Sequence, residues 1–121
     1  MNNDQAPAGA APRAADRPVV ASALGRFVAG LLLLTFAAVT ALVGPMLVMA
    51  SDNCFDGDAR PICSLGGQQT VGTLPVAAGF VAGLLTLVGL SSRRTAGLVC
   101  LLAAVCLPAL AWVVSLAIVG A

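Results

Sequence analysis

The sequence predicts an all-α integral membrane protein with three transmembrane helices, the second and third joined as an antiparallel hairpin. Three observations predict it. Hydrophobic residues make up 60% of the 121-residue chain, and no soluble fold of this size hides that much apolar surface. Charged residues make up only 9%, where about 25% is usual for a soluble domain. The charges, six Arg and five Asp for a net of +1, leave three uncharged stretches, 27–51, 61–92 and 95–121. At a rise of about 1.5 Å per residue, each stretch crosses a core about 30 Å thick once, and none crosses it twice.

The N-terminal arm, 1–23, is rich in Ala, Pro and Gly and has no apolar periodicity. It is predicted to be disordered and cytoplasmic. The first span is predicted over 24–50, through Leu31-Leu32-Leu33-Leu34. Backbone polar groups in hydrocarbon need internal partners, so the span must be helical. Pro45 removes one helical hydrogen bond and predicts a kink. A loop follows over 51–73. The second span is predicted over 74–90, with Gly66, Gly67 and Pro75 signalling its start, since proline suits the first turn of a helix. A turn at 91–94 leads to the third span, 95–119, which Pro108 is predicted to kink.

Orientation follows from positive charge, which stays cytoplasmic. Arg13, Arg17 and Arg26 flank the first span, and Arg93 and Arg94 occupy the second loop. The first loop holds only Arg60 beside Asp52, Asp56 and Asp58, and the C-terminal tail holds no arginine. This places the N-terminus and the 91–94 turn in the cytoplasm. The first loop and the C-terminus lie outside a bacterial cell membrane. Trp112 falls toward the outer end of the third span, where aromatic belts form.

Cys54 and Cys63 both lie in the predicted outer loop, where disulfides persist. A Cys54–Cys63 bridge is predicted, stabilising by about 2.5–3 kcal/mol in the chain-entropy account. The alternative is two unpaired thiols. Two cysteines without histidine make a poor zinc site. Asp52, Asp56 and Asp58 lack calcium-loop spacing and a closing Glu, so no metal or other cofactor is expected. Cys100 and Cys106, six residues apart on a helix, do not share a face. A rival topology has signal cleavage after Ala50, at Val48-Met49-Ala50, but the apolar stretch exceeds a normal signal core.

The most specific packing signal is Gly79-Phe80-Val81-Ala82-Gly83, supported by Ala78 and Ala82. Small residues four apart let helix backbones approach closely in lipid. Ala96, Cys100 and Ala104 form a similar stripe in the third span, and the two stripes are expected to pack on each other across the hairpin. A surface for a partner or a second copy is the alternative use. Thr35, Thr40, Thr86 and Ser115 are the scattered span hydroxyls, each able to bond its own helix or a neighbour. They outline no pore.

His, Glu, Lys and Tyr are absent, which removes most general acids and bases. No enzyme activity is expected, and no basic nucleic-acid footprint is present. No carboxylate lies within a span, which excludes a proton-coupled carrier of the small multidrug type. The function expected is a non-catalytic accessory or structural subunit. It would act through helix packing and the disulfide-closed outer loop, in contact with the lipid bilayer and either another membrane protein or a second copy. The alternative is a homo-oligomeric pore or small-solute permeation protein.

The Ala, Val, Leu, Gly and Arg bias resembles coding from a GC-rich bacterial genome. Cys54, Cys63, Gly67 and Gln68, leading straight into a span, resemble the outer loop of small uncharacterised multi-span membrane proteins of actinobacteria. The resemblance covers the loop and the second span, and implies a compartment but no activity.

Overall fold

The computed structural model describes residues 16–92 and 95–121. Three long helices make up most of it: α1 (Asp16–Val43), α2 (Leu65–Ser91) and α3 (Thr95–Gly120). Three helical stretches are long and apolar enough to cross a membrane: Ser22–Asn53, which joins most of α1 to the 3-10 segment after it, then α2 and α3. The described residues contain no strand. Two 3-10 segments, Gly44–Asn53 and Pro61–Cys63, form the connection between α1 and α2.

α2 packs against both α1 and α3, which touch each other far less. The reason lies in its buried positions: Val71, Pro75, Gly79, Ala82, Thr86 and Gly89. They recur every three or four residues and are mostly small, the spacing of a helix seam that lets backbones come close. The matching stripe on α3 is Gly97, Ala104, Pro108, Ala111 and Ser115. On α1 the buried positions include Gly30, Ala37 and Thr40, followed by Gly44 just beyond the helix. Large side chains such as Leu32, Leu42, Phe80 and Val113 face outward. This inversion of a soluble protein suits a lipid surround, where large apolar side chains need no burial.

Three boundaries differ from expectation. α1 begins at Asp16, so part of the stretch read as a disordered arm is helical; the rest of the arm lies outside the described residues. α2 begins at Leu65 rather than at 74. Ser64 caps it, accepting a hydrogen bond from the Gly67 amide at 3.0 Å and donating to Pro61 O at 2.7 Å. A good N-cap satisfies amides that would otherwise be orphaned, so the helix forms through the polar run Gln68-Gln69-Thr70. Pro75 therefore lies inside α2 rather than in its first turn. Pro45 does not kink a continuing α-helix. α1 ends before it, and the chain winds on as the tighter 3-10 segment. Gly44 permits this by sitting directly against the Pro75 ring, where a Cβ would have no room. Pro108 does lie inside α3.

Candidate functional site

Two features carry shape and specific polar contacts. One is the disulfide loop between α1 and α2, and the other is the seam among the helices.

The loop is built from a short turn and a clamp. Asp58 N donates to Phe55 O at 3.0 Å, closing the turn around Gly57. Gly57 has φ 88°, a left-handed conformation that glycine adopts at no steric cost. The Arg60 amide donates to Asp58 Oδ1 at 3.0 Å. The Arg60 guanidinium forms an ion pair with Asp58 Oδ2 at 2.6 Å and donates to Asn53 O at 2.8 Å. One side chain thus ties the end of the first 3-10 segment to the far side of the turn. The hydrogen bonds from Arg60 hold the Asp58 carboxyl below its usual range, and Asp58 in turn raises Arg60.

Cys54 and Cys63 form the expected disulfide, with Cα atoms 5.6 Å apart. Between Arg60 and the bridge, the Pro61–Cys63 turn drives Ile62 into the bundle end, where it is 1% exposed. The Cys54 and Cys63 sulfurs and an Asp58 oxygen lie within 4.8 Å of one another. This is not a metal centre in the oxidised loop, because the sulfurs are bonded to each other and Asp58 is committed to Arg60.

The seam revises the expected packing stripes. Gly79 faces α1, not α3: a Cβ there would meet Ala37 O at 2.6 Å and Ala41 Cβ at 2.8 Å. Gly83, its partner in the motif, has nothing within 4 Å of that position. Ala82 is buried in one cluster with Ala37 and Ala104, while Ala78 is half-buried. On α3, Ala96 is exposed and Cys100 half-buried. The close approach comes one position later, at Gly97, whose carbonyl would lie 3.0 Å from a Cβ on Gly89. Small residues at neighbouring positions made the phase of the stripe ambiguous.

The span hydroxyls are used unequally. Thr35 and Thr86 donate to carbonyls of their own helices, at 2.8 Å each. Thr40 donates to Phe36 O at 2.9 Å and accepts from Trp112 Nε1 at 3.1 Å, joining α1 to α3. Ser115 Oγ is buried with no hydrogen-bond partner. Cys100 and Cys106 are free, and Cys106 is exposed.

Of the arginines expected to set the topology, Arg13, Arg93 and Arg94 and the side chain of Arg17 lie outside the described residues. Arg26 has a second role that sequence spacing did not reveal. Its Nη2 donates to Ser92 O at 2.8 Å and Gly89 O at 3.3 Å. It caps the C-terminus of α2, where orphan carbonyls and the negative end of the helix dipole favour a cation. Ile62 and the Arg60 clamp were also missed. The apolar residue between Arg60 and Cys63 was the available signal for the former.

The surface grooves are apolar. One of about 300 Å³ runs between α2 and α3, lined by residues such as Leu74, Val81, Leu107 and Val114. Another of about 390 Å³ lies between α1 and α2, lined by Ala38, Ala41, Gly83 and Leu87 among others. Neither has a titratable lining residue.

No family model, curated protein or solved structure matches this chain.

Proposed function

We propose that this chain is a non-catalytic accessory or structural subunit of a bacterial cell membrane, with its N-terminus cytoplasmic and its C-terminus outside. The observation that carries the reading is the closed seam. Small residues from three helices fill the interior, and the grooves between helices are wholly apolar. Such a bundle offers no aligned groups for acid–base chemistry or for desolvating an ion. What it offers is a rigid membrane body with a shaped outer loop. Arg26 at the 91–94 end and the disulfide at the other end fit the orientation given by positive charge.

Purification in mild detergent from native membranes, with mass spectrometry of co-purifying chains, tests the subunit reading. A stoichiometric partner is expected. Recovery of the chain alone as a defined oligomer, together with selective ion flux in liposomes, would overturn it. Orientation has its own test. A membrane-impermeant thiol reagent on intact cells is expected to label Cys54 and Cys63 only after reduction. No labelling after reduction would place the loop on the other side.

A further inference from the structure

We propose that the disulfide loop is seated in the headgroup layer of the outer leaflet, with Phe55 and Leu65 as its lipid contacts. The inference rests on the membrane reading above and extends it to the loop.

The depth argument starts from Arg26. Its guanidinium, bound to Ser92 O and Gly89 O, marks the polar inner boundary of the bundle. From Ser91 back to Val71 along α2 is about 30 Å of helical rise, the thickness of the hydrocarbon core. Val71 therefore stands at the outer hydrocarbon boundary. The six residues before it, Leu65 to Thr70, rise about a further 9 Å, enough to cross a headgroup layer about 5–7.5 Å deep and bring Leu65 to its outer face. Their composition fits: two glycines, two glutamines and a threonine follow Leu65. Starting α2 at Leu65 thus fixes the bridge close to the membrane instead of on a long tether in water.

At this level two large apolar side chains have no protein cover. Phe55 is 78% exposed and Leu65 74%. They flank the two halves of the bridge, next to Cys54 and just after Cys63. The bridge, the Arg60 clamp and the buried Ile62 hold this loop in shape. The exposed apolar surface also continues downward through Met49 and Met46, 66% and 59% exposed, into the lipid-facing belt. Aromatic rings are favoured at headgroup depth. The ion pair offsets the charges of Asp58 and Arg60, while Asp52 and Asp56 are exposed on the loop surface.

The test places single tryptophans by depth. Trp112→Phe provides the background, and Phe55→Trp, Leu65→Trp and Phe80→Trp each add one reporter. The full chain is reconstituted in phosphatidylcholine vesicles. Emission is read against nitroxide lipids labelled near the headgroup, lipids brominated deep in the acyl chain, and aqueous iodide. Phe80, exposed in mid-span, reports on membrane insertion itself, so its loss of emission should be greatest with the deep bromines. The expected result for Phe55→Trp and Leu65→Trp is a greater loss to the shallow nitroxide than to iodide or to deep bromine. If both loop reporters are lost chiefly to iodide while Phe80→Trp is lost to bromine, the loop stands in water and the proposal is wrong. If Phe80→Trp escapes bromine, the membrane reading itself fails.

Discussion

The two glycines of the Gly79–Gly83 motif should respond oppositely to the same substitution. A Cβ on Gly79 would lie 2.6 Å from the Ala37 carbonyl oxygen, where ordinary contact begins at 3.4 Å, and 3.0 Å from Ala41 N. Both atoms belong to backbone, so no side chain can swing aside. α1 would have to move by most of an ångström over at least one turn, and the seam above and below would open with it. Overpacking of this kind costs about 1–3 kcal/mol. At Gly83 the new methyl meets nothing within 4 Å. There the backbone entropy of glycine favours alanine by about 0.5–1 kcal/mol. Gly79→Ala and Gly83→Ala should therefore differ by about 1.5–4 kcal/mol, with opposite signs relative to the wild type. Unfolding in mixed micelles by titrated SDS reads this difference. Trp112 fluorescence is a suitable signal, because its indole nitrogen is bonded across the bundle to Thr40. Equal destabilisation by both substitutions, or greater loss at Gly83, would refute the assignment of Gly79 to the α1 contact.

Four other outcomes follow from named contacts. Arg26→Gln should lower stability by about 1 kcal/mol through loss of the charged cap on α2, with faster amide exchange confined to the last turn before Ser92; unchanged exchange there would remove the cap. A double-mutant cycle of Thr40→Val with Trp112→Phe should give a coupling of about 0.6 kcal/mol, usual for interhelical bonds in lipid; additive losses would mean the bond is not formed. Ser115→Ala should be neutral or stabilising by up to about 1 kcal/mol, since a buried hydroxyl without a partner is removed; a clear loss of stability would show that Ser115 has one. The ion pair with Arg60 lowers the Asp58 carboxyl, so it stabilises the loop above the ordinary carboxylate range and is lost as pH falls through the lowered value. The Arg60 amide, which donates to Asp58 Oδ1, should accordingly shift in NMR only below the ordinary carboxylate range; a midpoint within that range would dissolve the clamp.

The three spans were legible because charge is excluded from hydrocarbon at high free-energy cost, and the exclusion leaves long uncharged stretches. The Cys54–Cys63 bridge was legible because only those two cysteines fall outside the spans. The start of α2 was not, because Gly66 and Gly67 are poor helix formers, the polar run Gln68-Gln69-Thr70 carries no apolar span signal, and the cap by Ser64 depends on a three-dimensional turn. Of the expected α3 stripe, Ala104 lies in the buried cluster, but the close approach at its start is made by Gly97 and not Ala96, since both are small and only the neighbouring helix decides between them. Hairpin connectivity points Gly79 toward α3, yet its close contact is with Ala37 and Ala41 of α1. The actual surroundings of α2, with a helix on either side, follow from the fold as a whole. The Arg26 cap joins positions 63 and 66 residues apart, and no local pattern reports such a distance.

The pair α1 and α2 is tied at both ends. One tie is the disulfide between the connecting segments, Cys54 just past the 3-10 stretch that continues α1 and Cys63 just before α2, and the other is the Arg26 guanidinium on the end of α2. A rod fastened to its neighbour at both ends cannot splay like a pair of scissors; it can only bow. Gly79, where the α1 backbone comes close, lies along the stretch between the two fastenings. A strain introduced there would spread outward as a shallow bend shared by many residues, instead of parting the helices. Mechanically, the pair behaves as a clamped beam, and release of either clamp is what would turn a bend into a hinge.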